Sequence, residues 1–444
     1  MAERITVDVT GLTHEGYGVA KVEGFTYFIP GALMGERIVC DISRREKNYG
    51  YADLKEILTP SKYRVAPPCP IFGDCGGCDI MHLDYSKQLE FKKQMVESTF
   101  QRIGHLNLMV DEMIGMENPY YYRNKVQVPF GTRHQKVVCG YYRRKTHEII
   151  PLKSCHIQSD EMTAILVAIK DLMNEFKVAS YDEVHHTGCV RHVMVRRNRQ
   201  QQYMIVFITY EDKMKGIGEI IHRLTTLFPS IVSIIQNMNH RTTNVILGSQ
   251  SRVLYGEEYL IDEIEDLQFQ ISHYSFFQVN SIQTERLYQT VLRFIHPTKE
   301  DIVVDGYCGV GTISLYVARH VKKVIGIEIV PEAIRDAKAN AKRNAISNAE
   351  FIVGKVEEEL MTYLDQTSPT VLILDPPRKG LDPEVITSIL KTTIPTIVYV
   401  SCDVSTLARD LERFVTQYDV KRIATVDMFA HTCDIETVAL LKRK

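Results

Sequence analysis

The feature that most constrains this 444-residue chain is the regular strand-helix alternation that begins near residue 280. Strand-like apolar runs at Asp301–Asp305, Lys323–Ile329, Val371–Leu374 and Thr396–Val400 are interleaved with helical segments such as Gly311–His320 and Pro331–Asn344. Strands alternating with helices of about 10 to 14 residues dictate a parallel, doubly wound sheet, with ligands gathered at the carboxyl ends of its strands. Those ends carry the reactive residues: Asp305-Gly-Tyr-Cys-Gly-Val-Gly311, Glu328, Asp375-Pro-Pro and Ser401-Cys402.

Upstream the texture is different. From about 4 to 58, apolar and polar positions alternate between glycines, the pattern of a small antiparallel barrel or sandwich that Pro60 and Pro67-Pro68 close off. A cysteine cluster and a helical stretch, Tyr85–Ile103, come next. Runs such as Gln202–Thr209 and Ile231–Gln236 then predict a mainly antiparallel β region, with one helix at Asp160–Phe176. Three domains are expected: 1–60, 61–270 (its helix 85–104 leaning on the last domain) and 271–444.

No uncharged apolar run approaches the roughly 18 to 20 residues that span a bilayer, so a cytoplasmic, membrane-free location and a monomer are expected. Ten cysteines in such a chain read as thiols, metal ligands or catalytic groups rather than as a disulfide framework. The net charge of -2 confines any nucleic-acid surface to local patches. Two are candidates: the stretch from Arg123 to Lys153, and Arg191, Arg196, Arg197 and Arg199. Solvated sheet faces would read the same way.

The glycines between Asp305 and Gly311 permit a tight turn and close backbone approach to a ligand. About twenty residues on, Glu328 can accept both hydroxyls of a ribose. The glycine spacing is not the dinucleotide fingerprint, and Asp305 would repel a pyrophosphate. An adenosyl group bearing a cationic sulfonium suits this turn better.

In S-adenosylmethionine (SAM) enzymes that methylate exocyclic amines, a comparable Pro-Pro turn precedes an aromatic residue; here Arg378 stands at that place. Cys402, at the next strand end, is by position an ordinary buried thiol. It becomes a nucleophile if the target is C5 of uracil, a poor nucleophile that addition of a thiolate to C6 converts into an enolate carbon. Ionising the thiol at neutral pH takes about 2 kcal/mol of stabilisation, for which Arg378, Lys379 and Arg409 are candidates. The C5 proton must then be removed, and both Glu436 and His431 are possible bases.

Five motifs in order, Phe276-Phe-Gln278-Val-Asn280, Asp305–Gly311, Asp375-Pro-Pro-Arg-Lys-Gly380, Ser401-Cys402 with Leu407-Ala-Arg-Asp410, and Asp427-Met-Phe, resemble the RNA 5-methyluridine methyltransferases over nearly the whole chain. The resemblance implies a Rossmann-like SAM-dependent catalytic domain behind an OB-like TRAM barrel that binds RNA. It implies that Gln278, Tyr307, Glu328 and Asp375 line the SAM site, that Cys402 is the nucleophile, and that Glu436 rather than His431 is the base. Cys69, Cys75, Cys78 and Cys155 match the ligand set of the family's [4Fe-4S] cluster, although zinc also suits four thiolates. The barrel and the four cysteines point to 23S rRNA, with tRNA the alternative substrate and a catalytically impaired RNA-binding paralogue the alternative class. Three residues depart from the family's pattern: Asp403 for Asn, Ala430 for Pro and Asp434 for His. The two added acids are expected to raise the pKa of the thiol if both are ionised and close to it.

Overall fold

The computed structural model of the protein describes residues 3–364 and 367–444. The glycine-punctuated N-terminal segment forms β1 (Arg4–Leu12), β2 (Gly18–Val22), β3 (Phe25–Ile29), β4 (Arg37–Arg45) and β5 (Tyr49–Thr59), closed in the order β1-β2-β3-β5-β4. Alternate side chains, among them Val7, Val9, Ile29 and Ile38, fill the interior. One joint departs from the antiparallel expectation: β3 and β5 run parallel. A closed ring of five strands cannot alternate throughout, so one parallel pair is unavoidable. The buried carboxylate of Glu36 ties the barrel to the following segment by accepting from Arg64 Nε at 2.6 Å.

Next come α1 (Tyr85–Arg102), capped by Asp84, and the short β6 (Glu112–Ile114). The middle of the chain supplies β7 (Lys125–Arg133), β8 (Lys136–Tyr142), β9 (Ile149–Pro151), α2 (Asp160–Glu175), β10 (Val190–Arg197), β11 (Tyr203–Thr209), α3 (Ile217–Leu227), β12 (Ile231–Met238) and β13 (Gln250–Gly256). These strands make one seven-stranded sheet, order β13-β12-β11-β10-β7-β8-β9, antiparallel except where α3 carries the chain from β11 to β12. The apolar faces of α2 and α3 cover one side of it, with Ile165, Ile169 and Leu224 fully buried. A separate hairpin follows, β14 (Leu260–Ile264) and β15 (Leu267–Ile271).

The last part of the chain comprises α4 (Ser281–Ile295), β16 (Ile302–Gly306), α5 (Thr312–Ala318), β17 (Lys323–Glu328), α6 (Pro331–Arg343), β18 (Ala349–Val353), α7 (Val356–Leu364), β19 (Val371–Leu374), α8 (Pro383–Leu390), β20 (Thr396–Ser401), α9 (Val404–Phe414), β21 (Tyr418–Val426) and β22 (Glu436–Arg443). The sheet order is β18-β17-β16-β19-β20-β22-β21-β6. Its first five strands are parallel, and β22 lies antiparallel between β20 and β21. Because both faces are buried, the central strands read as continuous apolar runs, and two separate cores flank the sheet.

Residues 85–114 fall in the span that the sequence reading gives to the middle domain, yet they are built into this sheet. Val96 and Phe100 of α1 belong to its second core, and β6 pairs with β21 as an added edge strand. Among the described residues no helix is long and apolar enough to cross a membrane.

Candidate active site

Strand register brings the reactive residues to one edge. Gly306 lies opposite Ile327 of β17 and Leu374 of β19, Leu374 opposite Tyr399 of β20, and Ser401 opposite Thr437 of β22. Tyr307, Glu328, Asp375, Cys402 and Glu436 therefore all sit at or just beyond the same row of strand ends. Because β22 runs antiparallel to its neighbour, its first residue, not its last, reaches this edge.

The turn after β16 is left-handed at Tyr307 (φ 67°), Gly309 (φ 54°) and Gly311 (φ 81°). A tyrosine held there costs on the order of 1 kcal/mol or more, a strain found mostly at ligand sites. A Cβ on Gly311 would approach the Phe351 ring to 2.9 Å, so that position requires glycine. The Glu328 carboxylate is fixed by two backbone donors, Gly309 N at 3.2 Å and Val330 N at 3.0 Å. Asp305 accepts from Ser314 through one oxygen, while its other oxygen is buried without a partner among the described residues.

Three carboxyls at this edge carry strongly raised pKa values. Burial lifts Asp305 and Asp375 to about 7 each. Burial, then the charges of Asp375 and Asp434, lift Glu436 to about 8 against the opposing pull of Arg378. Buried acids with so little countercharge favour a cation at this edge.

Burial and the neighbouring Glu436 and Asp375 push the Cys402 thiol up to about 12, with Arg378 opposing them. Of the three cations expected to serve the thiol, only Arg378 does so. Arg409 is committed to Asp410 and to the carbonyl of Leu381, and Lys379 to Asp382.

Asp403 has a local structural role. Its carboxylate caps α9 by accepting from Thr406 N at 2.9 Å, and the charges that lift the thiol most are those of Glu436 and Asp375. Asp434 meets Arg378 at 3.4 Å and acts on Glu436. Ala430 is fully buried beside Met81 and Tyr122.

His431 packs against α1. Its ring Nδ1 is 3.2 Å from Gln88 Nε2, its backbone N–H donates to Gln88 Oε1 at 3.0 Å, and burial lowers its pKa to about 4. Gln278 is buried, and its carbonyl accepts from Asn124 Nδ2 at 3.0 Å. No side-chain hydrogen bond joins Gln278 to the acids among the described residues. Its segment is instead tied toward Glu436 through Asn280, which caps α4 and donates to Met428 O.

A buried group absent from the sequence reading supports the loop that leads into Glu436. Lys92 Nζ meets Asp427 Oδ1 at 2.6 Å with both side chains fully buried, and Tyr85 donates to Asp427 Oδ2 at 2.8 Å. The partners lie more than 300 positions apart in the chain, so no local spacing betrays them.

Cys69, Cys75, Cys78 and Cys155 line one cavity of about 400 Å³, and none forms a disulfide. Burial raises the thiols of Cys75, Cys78 and Cys155, the last to about 11. Among the described residues no group of three or more His, Cys, Asp or Glu side chains could hold a metal ion. The expected ligand set thus shares a cavity without forming a metal-ion site.

The basic patches are partly spent on structure. Arg143 pairs with Asp74 and Glu148, and Arg144 with Asp79. Arg191 and Arg196 are buried donors to backbone carbonyls. Arg197 and Arg199 border a groove of about 980 Å³ beside α4.

The profile of the tRNA (Uracil-5-)-methyltransferase family matches residues 84–444, and that of the TRAM domain residues 2–55. An "Uncharacterized RNA methyltransferase" of Clostridium tetani is 44% identical over 98% of this chain and 95% of its own. One from Oceanobacillus iheyensis is 42% identical over 100% and 97%. The crystal structure of Pyrococcus abyssi tRNA (uracil-54, C5)-methyltransferase with S-adenosyl-L-homocysteine has a TM-score of 0.80 at 26% identity, covering 98% of this chain and all of that one. The chain belongs to the tRNA (uracil-5-)-methyltransferase family, as a SAM-dependent RNA methyltransferase with an N-terminal TRAM domain.

Proposed function

We propose that the protein methylates C5 of a uridine in RNA, with Cys402 as nucleophile and Glu436 as base. The observation that carries this reading is the placement of the thiol and the carboxyl together, each one residue beyond the Ser401–Thr437 rung, with Asp375 beside the thiol. SAM supplies the methyl group as an electrophile. Tyr307 and the Asp305–Gly311 turn shape its pocket, Glu328 accepts its ribose hydroxyls, and Asp375 and Gln278 complete the wall. As its thiolate, Cys402 adds to C6 of the base, which makes C5 nucleophilic; C5 takes the methyl group as its bond to the sulfonium sulfur breaks, and S-adenosylhomocysteine is left. Glu436 then takes the C5 proton, the C6–S bond breaks, and the thiolate leaves. The raised pKa of Glu436 suits a group that must hold a proton near neutrality.

RNA containing 5-fluorouridine tests the reading, because fluorine at C5 cannot leave as a proton. A covalent protein–RNA adduct that requires SAM and Cys402 is expected; its absence would sink the proposal.

For the target we propose a uridine of 23S rRNA, which the four-cysteine set favours. The barrel no longer argues for it, since a tRNA enzyme matches this chain over its full length. That likeness supports tRNA as the second reading. Mapping 5-methyluridine in rRNA and tRNA from cells with and without the protein separates the two.

For the four cysteines we propose a [4Fe-4S] cluster. In support, all four thiols are half-buried around one cavity that no carboxylate lines. A cubane is wider than a single ion, so its thiolates stand further apart than those of a zinc site. Iron and acid-labile sulfide in anaerobically prepared protein are the test.

A further inference from the structure

The cavity shared by the four thiols has a basic wall. Arg123, Lys125 and His156 line it, and no aspartate or glutamate does. Arg143 and Arg144 nearby are neutralised by Asp74, Glu148 and Asp79. Among the described residues no carboxylate forms an ion pair with Arg123 or Lys125, and neither is exposed. Arg123 Nε is held by the carbonyl of Lys125 at 3.2 Å. Lys125 stands opposite Arg196 in the ladder between β7 and β10, and Arg196 is spent on the carbonyl of Ser275.

Two half-buried basic side chains without acids, lining one cavity with four thiols, favour an anion of matching charge. A cubane bound by four thiolates is one: its net charge is negative in the usual oxidation states. Net charge and surroundings set the reduction potential of such a cluster. We propose that Arg123 and Lys125 compensate the charge of an iron-sulfur cluster held by Cys69, Cys75, Cys78 and Cys155 and raise its reduction potential. This rests on the cluster reading given above. The sign follows from electrostatics, because each cation favours the reduced state, which is one charge more negative.

The test uses the full-length protein, prepared anaerobically, with its iron and sulfide content measured and its midpoint potential titrated by electron paramagnetic resonance of the reduced form. Lys125→Gln is expected to retain iron and sulfide and to titrate at a more negative potential than the wild type. Lys125→Arg is expected to return the potential toward the wild-type value. Should Lys125→Gln fail to fold, Arg123→Gln carries the same test and shifts the potential in the same direction. Wild-type protein without iron and sulfide would overturn the cluster reading itself. A complete cluster whose potential is unchanged in Lys125→Gln or Arg123→Gln would overturn only the role of the two cations.

Discussion

Cys402 and Glu436 both lie one residue beyond the same rung of the catalytic sheet, where Ser401 at the end of β20 faces Thr437 near the start of β22. The reversed direction of β22 creates this pairing, since a parallel strand would have carried its first residue to the opposite edge. The proposed nucleophile and base, which would act on adjacent carbons of one ring, are thereby brought together by strand register, Cys402 just after the end of β20 and Glu436 at the first residue of β22.

Glu436→Gln should therefore stop the cycle after methyl transfer. We expect turnover to fall by about a hundredfold or more, the usual worth of a positioned base. The protein should accumulate as a Cys402-linked RNA adduct, seen as a slow band on denaturing gels. The double variant Cys402→Ala/Glu436→Gln should show no such band. An adduct that persists without Cys402 would remove the thiol from the mechanism.

The three buried carboxyls tie stability to pH and to ligand. Asp305 and Asp375 (about 7) and Glu436 (about 8) hold protons more tightly folded than unfolded, where such groups titrate near about 4. The folded state thus binds more protons between about pH 4 and about pH 8, and ligand-free stability should decline as pH rises through that window. Sinefungin, a SAM analogue that carries an ammonium in place of the sulfonium, should stabilise the protein more at pH 8 than at pH 5. S-adenosylhomocysteine, which is neutral at sulfur, should show a smaller pH dependence. Thermal melts at the two pH values with each ligand measure this, and equal increments would contradict it.

Arg378 is shared between Asp434 and the thiol. Arg378→Gln should raise the Cys402 pKa further, whereas Asp434→Asn should free the guanidinium and lower it. At neutral pH the thiolate fraction changes in direct proportion to the acid dissociation constant of the thiol. Alkylation of Cys402 by iodoacetamide, followed by peptide mass spectrometry, should therefore be slower than wild type in the first variant and faster in the second. The half-exposed Arg378–Asp434 pair itself contributes little to stability, less than about 1 kcal/mol, so melting temperatures should hardly move.

The strand-end residues were legible because two periodicities, apolar strand and amphipathic helix, mark where each βα turn must fall. β16, β17, β19 and β20 lie within one residue of their expected limits, which puts Glu328, Asp375 and Cys402 on one edge. Asp403 has a second role that was not read from the sequence. It was weighed as a charge beside a thiol, although an acid that opens a helical segment is an N-cap, and capping turns its carboxylate to Thr406. Arg378, Lys379 and Arg409 looked alike because sequence gives proximity along the chain and not the carboxylates that occupy two of them. The edge strand β6 was invisible for want of length: three residues carry no period.

The pair Lys92–Asp427 shows what sequence cannot give, and its energetics can be tested directly. With both side chains fully buried, Lys92→Met leaves the Asp427 carboxylate without its cation. Removing one partner of such a pair costs roughly 3–5 kcal/mol, so a large drop in melting temperature is expected. Replacing both, as in Lys92→Met/Asp427→Leu, should recover much of that loss, because two apolar side chains avoid the desolvation the ions suffer. The Tyr85 hydroxyl, which donates to Asp427, then loses its acceptor, so recovery should be incomplete until Tyr85→Phe is added. If the loop into Glu436 depends on this network for position and not only for stability, the double variant will melt near wild type yet turn over more slowly. Equal recovery of melting temperature and turnover would make the pair a purely structural brace.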